Sequence, residues 1–412
     1  MTQAGPIPDA SAQHPVASPG LQNTAATEPE STAEAPVRLG MVAGEASGDL
    51  LAGLLMDGIL TRWPTARTFG IGGPQMLRRG FQSWWPQELL AVRGYVEVLP
   101  RLWKLLAIRR ALCQRLLTSP PDAFIGVDAP DFNFRLEQHL KAAGVPVIHY
   151  VSPSFWAWRP RKLVQLGRSA DLVLCLFPFE PEMLNAKGIP AVFVGHPLAH
   201  VIPLQPDRAA ARAALGLRDE GPVVAILPGS RAAEIKHLAA RFFAAATVIL
   251  KTRPDVQFVV PAIASLQPAI EAAAQASGLG DRLRVVTGQS HRVLAACDVT
   301  LIASGTATLE AALFKRPMVI AYHMPWLSWV LMRGKNLQPW VGLPNILCRE
   351  SVVPELLQDA ATPPALAAAV IAWLDNPEKV QALEQRFAAM HHTLRRDTAR
   401  LAVDAIEKVL HR

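Results

Sequence analysis

The chain has 412 residues, 50% of them hydrophobic and 18% charged, with a formal net charge of +7. That length predicts two or three domains with substantial cores, in the composition of an ordinary globular protein. The four cysteines, Cys113, Cys175, Cys297 and Cys348, lie far apart with no C-x-x-C, so neither a disulfide framework nor a zinc site is indicated, and a reducing cytoplasm fits.

Residues 1–36 hold six prolines, no Lys, Arg or aromatic residue, and only acidic charges at Asp9, Glu28, Glu30 and Glu34. Such a segment cannot bury enough surface to order itself, and it reads as a disordered tail. It has no basic region followed by an apolar one, so it does not read as a signal peptide. The remainder carries 41 basic against 30 acidic residues. That balance suits nucleic acid, an anionic membrane surface or a phosphorylated substrate. No transmembrane helix is predicted, because the longest charge-free run after the tail, 189–206, holds Pro190, Pro197, Pro203 and Pro206.

From residue 38 onward, short apolar runs alternate with helical stretches. Buried strands are predicted at 38–43, 122–127, 145–151, 170–176 and 190–194, then at 222–227, 255–260, 282–287, 297–303 and 317–322. A proline-rich loop separates the two sets. Two successive α/β units imply two doubly wound domains with a cleft between them. The stretch 363–412 reads as helical and strand-free, capping the second domain or reaching back to the first. The predicted divisions are therefore a tail at 1–36, α/β domains at 37–200 and 201–362, and C-terminal helices at 363–412.

The first crossover, LGMVAGEASGDLLAGLLMDGIL at 39–60, has the outline of a nucleotide-binding turn. Its loop fits neither G-x-G-x-x-G nor the P-loop, and Glu45 and Asp49 stand where a phosphate needs bare N–H groups. A hydroxyl-rich ligand suits it better. LPRLWKLLAIRRALCQRLL at 99–117 carries Arg101, Lys104, Arg109, Arg110 and Arg115 without one acid, and leucines recur at helical spacing. It reads either as a basic amphipathic helix lying on anionic lipid through Trp103 or as a core helix with a solvated basic face. In FIGVDAPDFNF (124–134), Asp128 closes a strand, where α/β folds keep reactive groups, and could deprotonate a hydroxyl. Asp131, after Pro130, suits a helix cap. Trp156 and Trp158, with Arg159, Arg161 and Lys162, could stack on a sugar, but packing suits the tryptophans better.

In AILPGSRAAEIKHL (225–238), a strand runs through Pro-Gly-Ser-Arg into a helix. Gly229 permits close approach, Ser230 suits an N-cap, and Arg231 brings a permanent cation. The stretch is a diphosphate site or simply a capped helix with a solvated arginine. LIASGTATLEAALFKRPMVI (301–320) repeats the pattern, with Glu310 about one turn into its helix. That carboxylate can accept both hydroxyls of a ribose, or merely favour the helix dipole. Two such loops in one half place a donor nucleotide there. No D-x-D occurs in the chain, so a metal-bridged diphosphate is not expected. MPWLSWVLM (324–332) adds tryptophans that suit either an interface or a core.

VAGEASGD, GVDAPDFN, IHYVSPSFWAWR, LPGSR, ASGTATLE and LPNIL stand in the order and spacing of the bacterial lipid-A-disaccharide synthases, which the chain resembles over about residues 38–410. The resemblance implies a GT-B glycosyltransferase that needs no metal or cofactor. It would join UDP-2,3-diacylglucosamine to 2,3-diacylglucosamine 1-phosphate (lipid X), release UDP and form a β-1,6 disaccharide. It further implies a peripheral enzyme on the cytoplasmic face of the inner membrane. Carried over residue by residue, the essential aspartate is Asp128, and nucleotide contacts fall on Arg231, Glu310 and Asn345. Gly229, Ser230, Ser304, Gly305 and Thr306 supply the loops. Glu45, Ser47 and Asp49 then lie on the acceptor side. Leu102, Trp103, Leu105, Leu106, Arg109 and Arg110 form the expected membrane face.

UDP-N-acetylglucosamine 2-epimerases share this architecture without needing lipid, and are the alternative enzyme class. A nucleotide-sensing or nucleic-acid-binding protein would leave Asp128 without purpose, and no helix-turn-helix signal or aromatic-studded basic face supports it. The C-terminal helices leave a homodimer open.

Overall fold

The computed structural model describes residues 35–90, 98–153, 161–323 and 339–411. The tail, Trp156, Trp158, Arg159 and the stretch 324–332 lie outside the described residues. Every predicted strand forms. The first sheet has seven strands: β1 Arg38–Ala43, β2 Arg67–Gly72, β3 Gln82–Pro86, β4 Ala123–Val127, β5 Val147–Tyr150, β6 Leu172–Cys175 and β7 Ala191–Phe193. The second has six: β8 Val223–Leu227, β9 Gln257–Ala262, β10 Leu283–Thr287, β11 Val299–Ala303, β12 Met318–Tyr322 and β13 Glu355–Leu357.

The orders are β3-β2-β1-β4-β5-β6-β7 and β10-β9-β8-β11-β12-β13. All the pairings are parallel. The central strands β4, β8 and β11 are buried along their whole length, because helices cover both faces of each sheet. β2, β3 and β13 were not expected. RTFGIG is interrupted by two glycines, QSWWP is a half-exposed edge strand ending in proline, and ELL has only three residues.

One core surrounds the second sheet, and two others lie on the opposite faces of the first. The C-terminal helices serve both sheets. Pro363–Leu374 and Pro377–Leu394 pack into the second core through Leu366, Val370, Trp373, Leu383 and Phe387. Thr398–Leu410 instead joins the first, burying Ala402, Val403, Ile406 and Val409 against the helix Ala46–Arg62. The contact is close enough that a Cβ on Gly58 would stand 2.9 Å from the Ala399 Cβ and 3.0 Å from its carbonyl oxygen. Arg62 braces the same contact through Asp404 and Glu407.

Ile406 is completely buried. Ile406→Ala is expected to cost about 2–5 kcal/mol, the usual loss for such a truncation. Thermal unfolding checks this, and an unchanged transition would mean that the last helix contributes nothing to the first core.

Candidate functional site

In each sheet the strand order reverses once, between β1 and β4 and between β8 and β11. Loops leaving the carboxyl ends of such a pair diverge to opposite faces and open a crevice, where doubly wound proteins bind ligands. Four of the stretches singled out in the sequence sit at these two points.

At the first reversal, Ala43 lies beside Val127 in register, so the loop after β1 meets the loop after β4. A Cβ on Gly44 would stand 2.9 Å from that of Ala129, so glycine permits the close passage. Asp128 and Ala129 both take left-handed backbone, with φ of 50° and 45°. Two consecutive non-glycine residues in that region store strain. Asp128 is half-buried, and its N–H donates to the Tyr150 carbonyl at 2.9 Å. Burial pushes its carboxyl above the ordinary range, and the negative charge of Glu45 adds to this, while His149 opposes it. Glu45 and Ser47 are exposed at the start of the helix Ala46–Arg62.

Asp49 does not reach the acceptor side as expected. It is buried, and its carboxylate accepts the N–H groups of Gly73 and Gln75 at 2.9 Å and of Met76 at 3.1 Å. Its oxygens are spent on the start of the short helix Pro74–Leu77. Asp131 is not the cap of its helix either. Ala129 occupies the N-cap of Pro130–Ala142, while Asp131 points outward and pairs with Lys162 at 2.8 Å.

At the second reversal, the N-cap of the helix Ala232–Thr252 is Arg231 rather than Ser230. Glu234 fills the place expected for an anion, because its Oε2 accepts the N–H groups of Ser230 at 2.8 Å and Arg231 at 3.2 Å. Gly229 has φ of 125°, and a Cβ there would meet Glu234 Oε2 at 2.4 Å. The Arg231 guanidinium meets Glu234 at 3.2 Å yet remains largely exposed. The second loop differs. Ser304 Oγ donates to the Val341 carbonyl at 3.2 Å, whereas the N–H groups of Gly305 and Thr306 have no acceptor among the described residues.

Glu310 follows in the helix Ala307–Leu313, with its Oε2 3.3 Å from His291 Nε2. His291 was not anticipated. It lines a shallow, open surface depression of about 360 Å³ together with Gly288, Gln289, Ser290 and Arg292. Asn345 is a further correction. Its amide donates to the Val353 carbonyl and Glu355, and its oxygen accepts the N–H groups of Val352 and Val353, all within 3.0 Å. Completely buried and fully bonded, it braces its own loop rather than offering a side chain to a nucleotide.

The amphipathic helix Val98–Thr118 divides in two. Ile108, Leu112 and Leu116 enter the core, so these leucines do not belong to a lipid face. Trp103 is 69% exposed, Lys104 and Arg110 are exposed, and Leu105, Leu106 and Arg109 are half-buried. Arg109 loses some basicity to burial and to the neighbouring Arg135 and Arg110. The side chains of Arg101 and Leu102 lie outside the described residues. Among the described residues, no helix is long and apolar enough to cross a membrane.

The family of lipid-A-disaccharide synthetases matches residues 39–406. The lipid-A-disaccharide synthase of Albidiferax ferrireducens is 62% identical over 91% of this chain and 97% of its own. That of Azoarcus sp. is 52% identical over 90% and 95%. In fold, the chain is similar to the UDP-GlcNAc 2-epimerase from Neisseria meningitidis bound to UDP-GlcNAc, with a TM-score of 0.63, 11% identity, and coverage of 90% of this chain and 99% of that one. A glycosyltransferase from Rickettsia africae gives 0.58 and 11%, over 92% and 99%. Those two likenesses establish the GT-B architecture, and the sequence matches decide between its enzyme classes: the chain belongs to the lipid-A-disaccharide synthase family.

Proposed function

We propose that the two reversal points divide one glycosyl transfer between them, the first handling the acceptor and the second the UDP-sugar. The activity is lipid-A-disaccharide synthesis, EC 2.4.1.182: UDP-2,3-diacylglucosamine and 2,3-diacylglucosamine 1-phosphate give the β-1,6 disaccharide 1-phosphate and UDP. The match along nearly the whole folded chain carries that conclusion. The division of labour rests on Asp128 standing at one reversal and Arg231 and Glu310 beside the other.

In this reading, 37–200 is the acceptor domain and 201–362 the donor domain, with the cleft between their carboxyl edges. Asp128 takes the proton of the acceptor 6-hydroxyl. The oxygen attacks the anomeric carbon from the face opposite UDP, and the bond to the leaving phosphate breaks with its electron pair passing to UDP. One displacement inverts an α-linked donor to a β-linked product. Arg231 and the open N–H groups of Gly305 and Thr306 stabilise the charge on the diphosphate. Glu310 keeps one oxygen on His291 and turns the other to the ribose, with the base lying along the open depression beside His291. Trp103, Lys104 and Arg110 hold the enzyme on the anionic inner face of the inner membrane, where both acylated substrates reside.

Asp128→Asn should lower turnover by about 10²–10⁴-fold, the usual contribution of a general base, with UDP affinity unchanged. The parent's rate should rise with pH through a carboxyl placed above the ordinary range, because only the ionised form accepts the proton, and the variant should lose that limb. Asp131→Asn should be mild. Steady-state rates across pH decide, and a fully active Asp128→Asn would move the base elsewhere.

Glu310→Ala should weaken UDP binding about tenfold to a hundredfold, as loss of a charged hydrogen-bond partner costs about 1.5–3 kcal/mol. Calorimetry with UDP reads this directly. Equal affinity in both proteins would remove Glu310 from the donor site.

Trp103→Ser combined with Lys104→Glu and Arg110→Glu should reduce flotation with anionic vesicles. The parent's binding should weaken as salt rises, because exposed charges are screened over about 10 Å at 0.1 M. Undiminished flotation of the triple variant would show that this end of the helix does not touch lipid.

A further inference from the structure

Beneath Asp128 lies a second pair of ionisable groups that the displacement does not use. His149 in β5 and Glu137 in the helix Pro130–Ala142 are both completely buried, with His149 Nδ1 2.6 Å from Glu137 Oε1. The backbone makes room for them. Gly126 pairs with His149 in register, and a Cβ on that glycine would stand 2.0 Å from Glu137 Oε1. The ring of Phe134 closes the side of the imidazole, with its centroid 5.2 Å away.

Burying such a pair is expensive, and apolar residues of similar volume often serve stability as well or better. Nor is the pair saturated. His149 Nε2, Glu137 Oε2, Asn133 Oδ1 and Ser152 Oγ are all buried without a hydrogen-bond partner among the described residues. Asn133 is tied to the reacting loop by its other end, donating to the Asp128 carbonyl at 2.8 Å. Backbone strain gathers here too, since Val151, just beyond His149, has φ of 80° beside the left-handed Asp128 and Ala129. A β-branched residue rarely adopts that conformation.

We propose that Glu137 and His149 are positioning residues for Asp128: Glu137 holds the imidazole through Nδ1–H in the place from which an imidazolium supports the ionised Asp128 carboxylate. A carboxylate behind a histidine fixes its tautomer and stabilises the imidazolium in this way. The inference rests on Asp128 being the base. Asp128 follows Gly126, the register partner of His149 in β5, by two residues, and it feels the charges of His149 and of Glu45 in the loop after β1. His149 is faced by Glu137 from the helix and by Asp128 from the end of β4. Burial and Glu45 oppose an ionised Asp128, while His149 and, more weakly, the backbone N–H of Ala129 favour it.

The test compares His149→Gln and Glu137→Gln with the parent in turnover across about pH 5–9, where a raised carboxyl titrates. Either change should move the acid limb upward by about one pH unit or more, the size of shift that a nearby opposite charge produces. Rates on the alkaline plateau should recover to within a few fold, and UDP affinity should be unaffected. A lowered plateau with an unmoved limb would overturn the proposal and leave the pair structural. Asp128→Asn, run in parallel, separates the two ideas. If that variant keeps both turnover and limb, the base assignment has failed. If it is inactive while the glutamine variants leave the limb in place, only the positioning role has failed. Should neither glutamine variant fold, histidine-labelled NMR of the parent and of Asp128→Asn replaces them. Loss of the neighbouring negative charge should lower the titration midpoint of His149, and an unchanged midpoint would overturn the proposal.

Discussion

Reversal of strand order is the constraint on which both halves of the site depend. A chain laying down parallel strands with right-handed crossovers winds outward from β1 through β2 to β3, then returns to place β4 on the other side of β1. The helices that follow β1 and β4 must therefore leave on opposite faces, and their first turns bound a crevice between them. At the first reversal the fit is tight enough that a side chain on Gly44 would collide with Ala129. The strand-end Asp128 cannot relax into ordinary backbone there, because its N–H is held by Tyr150 and its carbonyl by Asn133. The strain follows from that crowding, and it fixes the acid at the mouth of the crevice. The same winding from β8 to β10, with the return to β11, sets Arg231 and Glu310 on helices leaving neighbouring strands.

Much of this was legible in the sequence, for a physical reason. A strand covered on both faces must be apolar throughout, and FIGV, VVAIL and VTLIA declare themselves without reference to any neighbour. A reactive group at a strand end is equally local, so Asp128 stood out. What could not be read were roles that depend on a distant partner. Asp49 looks like a free acid until Gly73 and Met76 bring their N–H groups to it across more than twenty residues. Asn345 looks like a ligand contact until Glu355 and Val353 claim its amide. His149 sits within an apolar strand and Glu137 within an ordinary amphipathic helix, and only the missing side chain at Gly126 marks that something large lies beneath the sheet. The loop at 229–231 left two readings open. It was read as a diphosphate site or a capped helix, and Glu234, three residues beyond Arg231, supplies the cap by accepting the N–H groups of Ser230 and Arg231.

The two sheets are joined by a pair of crossings that hold each other. The chain first passes from β7 toward β8 near residues 195–202 and returns near 391–398 to deliver its last helix to the first core. Where the crossings meet, His196 N–H donates to the Leu394 carbonyl at 2.9 Å, His391 Nε2 lies 2.8 Å from the Ala199 carbonyl, and His200 bonds the carbonyl of Arg396. Gly195, with φ of 88°, leaves no room for a side chain, since a Cβ would stand 2.6 Å from that of Arg396. Lys315 adds a third thread from the second sheet, meeting His391 at 2.8 Å and the Pro203 carbonyl at 3.2 Å. Two adjacent, mutually bonded crossings resist sliding and twisting far more than they resist rotation about their common line. His391, remote from both reversal points, ties the two crossings to the second sheet through the Ala199 carbonyl and Lys315.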